Sequence, residues 1–158
     1  MRRADREITD PAEIEDVLRR CDVCRLALND VDFPYILPLN FGMESVDGRL
    51  SLYFHGAAEG HKYMLIAQDD RASFEADCSN RLVIDDEGLQ CTMEYESVIG
   101  HGRITFVEDG AEKMRALRLI MEHYGREDFA VNESVAAVTR IMRLDVIACT
   151  GKRRFVKK

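Results

Sequence analysis

The sequence predicts a mainly β domain, an antiparallel β-barrel with flanking helices, and three observations carry that prediction. About six apolar runs of β character are joined mostly by short turns. Helical periodicity is confined to a few segments that do not alternate with strands as they would around a parallel sheet. Neither G-x-G-x-x-G nor G-x-x-x-x-G-K-[ST] occurs, which excludes the phosphate loops of doubly wound nucleotide-binding folds.

The elements follow in order. Asp10 caps a helix with Pro11 at its first position and Glu13 in a variant capping box, and Ile14, Val17, Leu18 and Cys21 give it one apolar stripe. Strands are expected at Cys24–Leu28, Tyr35–Phe41 and Leu50–Phe54, separated by turns at Asn29–Asp32 and Val46-Asp47-Gly48. Pro34 and Pro38 cannot donate to a ladder, so the second of these strands is expected to break near Pro38 and leave backbone groups free. A helix over Glu59–Gln68 should face Tyr63, Ile66 and Ala67 inward, and Ala72–Cys78 alternates as a fourth strand.

Arg81–Gln90 reads as a polar loop, and Cys91–Val107 as a long strand in which Gly100 and Gly102 mark a bend or a close backbone approach. Asp109 and Glu112 open a helix with Met114, Leu117, Ile120, Met121 and Tyr124 on its apolar face, stopped by Gly125. A short helix over Ser134–Thr139 and a strand carrying Met142, Leu144, Val146 and Ala148 follow. The basic tail Gly151–Lys158 reads as a solvated end.

A length of 158 residues predicts one domain over 1–158, and 46% hydrophobic with 32% charged residues is the balance of a folding globular chain. A net charge of −7 disfavours nucleic acid as a partner. There is no apolar run of about 18 residues to span a bilayer and no apolar stretch after the basic start to act as a leader, so no membrane association is expected. Cys21, Cys24, Cys78, Cys91 and Cys149 are odd in number and irregular in spacing, which fits reduced thiols and a cytoplasmic location. Cys21-x-x-Cys24 supplies half of a four-thiolate metal site and reads as a pair of core thiols.

The stretch from Leu52 to Lys62 runs from a strand through the small residues Gly56, Ala57 and Gly60 into a helix start. The free N–H groups of that first turn, near Gly60, His61 and Lys62, make an anion site to which Lys62 adds a full charge. A lysine is unfavourable beside the positive end of a helix, which a phosphate between them would explain; a solvated lysine on an ordinary helix is the other reading. His55, at the strand end beside this turn, is either a hydrogen-bonded structural residue or a donor and proton shuttle toward a ligand.

The pieces Asp5-Arg6-Glu7-Ile8, Cys24-Arg25-Leu26-Ala27, Pro34-Tyr35, Pro38-Leu39-Asn40-Phe41-Gly42, Tyr53-Phe54-His55-Gly56-Ala57 with Gly60 and Lys62, Phe74-Glu75, Tyr95-Glu96-Ser97-Val98 with Gly100 and Gly102-Arg103, and Thr150-Gly151-Lys152-Arg153 occur in this order over nearly the whole chain. This ordered set resembles the flavin-nucleotide-binding proteins related to the nitroimidazole-resistance family, within the pyridoxamine-phosphate-oxidase-like split β-barrels. The resemblance implies an antiparallel split β-barrel of the FMN-binding type. It also implies a homodimer with FMN at the subunit interface, the phosphate near Lys62 and the ring against Pro38, Leu39, Asn40 and Phe41. Ser97 and Val98 then belong to the wall supplied by the partner, unless Ser97 is a strand serine facing solvent, and Lys152 brings a second charge to the cofactor phosphate. The sequence departs from pyridoxamine-phosphate oxidases in having no tryptophan and no Arg-x-His near its end.

Three functions are consistent with these features. An FMN-dependent oxidoreductase would pass electrons from NAD(P)H to a small acceptor such as a nitroaromatic or quinone, with the flavin carrying the difficult chemistry and the protein positioning it. A flavin-carrying module would bind without turnover. A haem-binding split barrel would use His55 or His61 as an axial ligand.

Overall fold

The computed structural model describes residues 3–85 and 90–156. A 3₁₀ turn at Ala4–Arg6 leads through β1 (Glu7–Ile8) to α1 (Pro11–Arg19), β2 (Cys24–Leu28), β3 (Tyr35–Leu39), β4 (Phe41–Val46), β5 (Arg49–Gly56), α2 (His61–Gln68) and β6 (Arg71–Asp85). The chain continues through β7 (Gln90–Val107), α3 (Gly110–His123), α4 (Glu133–Val138) and β8 (Arg140–Arg154). The strands form one antiparallel sheet in the order β3-β2-β6-β7-β8-β5-β4, with β1 on β8. Its two outer strands, β3 and β4, follow one another in the chain on either side of Asn40 without pairing, so the barrel is split there.

Local chemistry sets these elements as anticipated at most positions. Asp10 Oδ1 accepts from Ala12 N at 3.0 Å and Asp109 Oδ1 from Glu112 N at 2.8 Å, capping α1 and α3. Asp47 and Gly48, with φ of 51° and 75°, form the two-residue turn between β4 and β5. A Cβ on Gly102 would lie 2.0 Å from the Asp145 carbonyl oxygen, and the register shifts at that point, leaving Ile147 bulged on β8. A Cβ on Gly42 would meet the α3 backbone at 2.5 Å, so α3 packs directly against β4.

Four expectations are corrected. Tyr35–Phe41 is two strands that part at Asn40, while Pro38 sits within β3, tolerated because β3 is an edge that pairs only with β2. Arg81–Asp85 belongs to β6 instead of a loop, paired with the start of β7 by β-prone Leu82, Val83 and Ile84; 86–89 lie outside the described residues. In α2, Leu65 and not Ala67 joins Tyr63 and Ile66 in the core. Gly151–Arg154 is strand, held because Arg153 turns back onto a buried carboxylate.

That carboxylate is Glu96, 2% exposed. It accepts from Arg153 Nε at 2.5 Å, Ser79 Oγ at 3.0 Å and the Arg20 guanidinium, and Arg153 also pairs with Glu13 at 2.8 Å. The network ties α1 to β7 and β8. Burial alone would raise the Glu96 carboxyl, but the hydrogen bonds from Arg20, Arg153 and Ser79 outweigh it and bring it to about 2.

The core inside the barrel contains Leu26, Phe41, Phe54, Phe74, Val98 and Leu144. The outer face of β3, β2, β6, β7 and β8 is different: Ile36, Leu82, Ile84, Met93, Ile99 and Ile147 project from it and stay exposed. No described helix covers them. Among the described residues no helix is long and apolar enough to cross a membrane.

Candidate functional site

The small-residue turn after β5 closes around Lys62. A Cβ on Gly56 would lie 2.6 Å from the Tyr63 hydroxyl and 3.3 Å from Lys62 Nζ, and one on Gly60 would also lie 3.3 Å from that amine. Tyr63 OH donates to the Ala57 carbonyl at 2.5 Å, fixing the turn to the helix. The Lys62 ammonium stands 4.3 Å from the centroid of the Tyr63 ring. Register places Arg140 opposite Gly56, and its guanidinium lies 4.9 Å from Tyr63 and 5.1 Å from Phe106. No carboxylate among the described residues forms an ion pair with Lys62 or Arg140. Two unmatched cations thus flank a glycine-lined turn at a helix N-terminus, an arrangement that fits a phosphate.

Arg140 escaped the sequence reading because nothing local marks it. Its role comes only from the β5–β8 ladder, which joins residues 84 positions apart, Gly56 and Arg140.

The other predicted residues fall into separate groups. His61 is engaged, its Nε2 2.7 Å from Asp30 Oδ2 and its ring edge-on to Tyr35. The ladder sets Phe41 beside Phe54, so Asn40 and Phe41 do adjoin the end of β5. Their polar groups are not free, however: the Tyr124 hydroxyl accepts from Asn40 Nδ2 at 3.0 Å and from Phe41 N at 3.2 Å and donates to the Asp22 carbonyl. Phe41 itself is core, Leu39 packs against that core, and Pro38 lies on the outer face opposite Arg25.

His55 and Gly56 project to opposite faces of β5. His55 therefore does not share the Lys62 turn; it opens into an apolar cavity of about 250 Å³ between α3 and α4, with Leu117, Met121, Phe129, Val135 and Thr139. Val98 is wholly buried in the barrel core, and the outward residue of that pair is its neighbour Ile99, 58% exposed. Ser97 also lies on the outer face, directly across from Lys152. Arg140 and Lys152 are twelve residues apart on β8, about 40 Å along the strand, so Lys152 and Lys62 of one chain mark opposite ends of the sheet. Cys21 and Cys24 are both buried, as core thiols should be, and burial followed by the neighbouring Cys78 pushes the Cys21 thiol up.

The sheet order and the break at Asn40 define the class of split antiparallel β-barrels, and comparison with known proteins gives the family. The family described as pyridoxamine 5'-phosphate oxidase matches residues 10–153, and the chain belongs to it. The structure is similar to that of a candidate 5-nitroimidazole antibiotic resistance protein from Bacteroides thetaiotaomicron, at 28% identity and a TM-score of 0.81, covering 93% of this chain and 86% of that one. It is also similar to a flavocytochrome from Azotobacter vinelandii (18% identity, TM-score 0.79, 99% and 72% covered) and an FAD-binding protein from Mesorhizobium loti (19%, 0.67, 95% and 98%). The last two likenesses concern the fold alone. No curated protein matches.

Proposed function

We propose that this chain binds FMN as a cytoplasmic homodimer and acts as a flavin-dependent oxidoreductase. The observation that carries the proposal is the pair of cations, Lys62 and Arg140, that have no carboxylate partner among the described residues around the Gly56–Gly60 turn. Their fit to a phosphate monoester favours FMN over riboflavin. The kinship with a candidate nitroimidazole-resistance protein and the likeness to flavin-binding barrels point the same way. The bound flavin would supply hydride acceptance from NAD(P)H and electron delivery to a small acceptor such as a nitroaromatic or quinone.

The chain's own residues have separable tasks in this reading. Lys62 and Arg140 hold the phosphate. His55, the basic group of a mostly apolar cavity, orients the acceptor and delivers a proton to it, while Leu117, Met121 and Phe129 keep water away. The exposed isoleucines of the outer sheet face supply the dimer contact, since apolar area of that extent rarely stays open to water. The lack of tryptophan and of Arg-x-His near the end argues against oxidation of the vitamin itself.

Anaerobic titration of the FMN-loaded protein tests the activity: NADH or NADPH is expected to bleach the flavin, and a nitroaromatic or quinone to restore it. A flavin that dithionite reduces but neither nucleotide does would replace the enzyme with a flavin carrier.

A further inference from the structure

A second group of cations lies at the other end of β7 and β8, on the outer face. Register sets Lys152 across from Ser97 and Arg154 across from Tyr95, and Arg6 precedes β1, which pairs with β8. Residues two apart on a strand share a face at roughly 6–7 Å, so Lys152 and Arg154 stand side by side. The Lys152 ammonium lies 5.4 Å from the centroid of the Tyr95 ring. Burial alone would raise the Tyr95 phenol, but Lys152 and Arg6 beside its hydroxyl outweigh that and hold it below its usual value.

Counter-charge is missing here. Arg153, facing the other way, is matched by Glu96 and Glu13, whereas Lys152 and Arg154 have no carboxylate partner among the described residues. Glu7 stands across from Lys152 without forming an ion pair, and Arg6 reaches Asp5 only at 4.0 Å, a carboxylate already held by Arg3 at 2.7 Å. All four members of the group are half-buried. In a chain of net charge −7, cations converging on one phenol call for an anion from outside.

We propose that Arg6, Tyr95, Lys152 and Arg154 form a second anion site that takes the phosphate or pyrophosphate of a nucleotide. The arginine forks match phosphate oxygens in pairs, Lys152 adds a point charge and Tyr95 donates a hydrogen bond. The length of β8 keeps this site away from Lys62 of its own chain, and on the oxidoreductase reading proposed above the nucleotide it takes is the pyridine dinucleotide donor. The site itself rests on charge and register and not on the flavin reading.

Titration calorimetry with inorganic pyrophosphate, on the full chain carrying Lys62→Ala and Arg140→Ala, isolates the second site. Binding is expected to persist there, and adding Lys152→Ala with Arg154→Ala should weaken it by roughly ten-fold or more. Pyrophosphate should also raise the pH at which the Tyr95 phenolate appears, a transition identified by its loss in Tyr95→Phe. In the same Lys62→Ala, Arg140→Ala protein NADPH is expected to displace pyrophosphate from this site, and displacement by FMN in place of NADPH would overturn the assignment to the donor. Pyrophosphate binding indifferent to Lys152 and Arg154, or not displaced by NADPH, overturns the proposal.

Discussion

The Lys62 ammonium and the Arg140 guanidinium approach the same ring, 4.3 and 4.9 Å from the centroid of Tyr63. One comes from the first turn of α2 and the other from the first residue of β8, and neither has a carboxylate partner among the described residues. The face of Tyr63 attracts both cations without cancelling their charge, and a cation over an aromatic face gains only about 0.5–2 kcal/mol. An anion that bridges them gains more.

The first prediction concerns that anion. Each charge-assisted contact to a phosphate is worth roughly 1.5–3 kcal/mol, so Lys62→Ala and Arg140→Ala should each weaken FMN by about ten- to a hundred-fold while riboflavin affinity stays nearly constant. Fluorescence quenching titrations of both flavins measure it. Equal losses for FMN and riboflavin would place the phosphate elsewhere.

How far the sequence revealed this site depends on the range of the interactions involved. The Gly56–Lys62 turn was legible because a strand end, small residues and a helix start are neighbours in sequence. Arg140 was not, because only the β5–β8 ladder brings it opposite Gly56. Val98, expected with Ser97 on the partner-facing wall, lies in the core for a different reason: neighbours on a strand face opposite ways, so Ser97 and Val98 cannot share one face. The Phe41 N–H, expected among the free backbone groups near Pro38, is taken by the Tyr124 hydroxyl, 83 residues on in the chain. Caps, the Asp47-Gly48 turn and the helix stop at Gly125 depend on contacts within a few residues, and those readings stand.

A second prediction separates binding from turnover. His55 lies on the face of β5 opposite the Lys62 turn, so His55→Ala should leave FMN affinity within about two-fold, a change of under ~0.5 kcal/mol. Turnover with an acceptor should fall by roughly a hundred-fold, in the range for loss of one general acid. Steady-state rates beside flavin titrations report the split; an unchanged rate would leave His55 structural.

Acid stability offers a third. Glu96 has its carboxyl lowered in the folded chain from the ordinary 4.5 to about 2, so its contribution is complete above pH 4.5 and is lost as pH falls toward 2. Glu96→Gln should destabilise the neutral protein by about 3 kcal/mol, since it leaves Arg20 and Arg153 short of their counter-charge. Urea melts of both proteins should differ most at neutral pH and converge as the solution is acidified through that window. A constant difference at every pH would show that Glu96 acts by shape and not by charge.

The last prediction uses the two faces of β7. Val98 is 0% exposed and packs among Phe74, Leu144 and their neighbours, whereas Ile99 is 58% exposed on the sheet face that also carries Ile36 and Ile147. An arginine at either position introduces one charge, but with different consequences. At 98 it enters the core of a single chain, where an unpaired buried charge costs about 4 kcal/mol or more, so Val98→Arg should unfold or severely destabilise the monomer. At 99 it enters water when the chain is alone and an apolar contact only when two copies meet. Ile99→Arg should therefore leave the circular dichroism spectrum and the monomer's melting intact while weakening self-association by roughly a hundred-fold, the equivalent of about 3 kcal/mol. Flavin release should accompany that loss, because the proposed site is completed by the partner's outer face. Sedimentation velocity with absorbance detection of the flavin follows mass and cofactor together. An Ile99→Arg protein that sediments as a monomer and keeps normal FMN affinity would show that each barrel holds its flavin unaided; one that remains a dimer would move the contact off this face of the sheet.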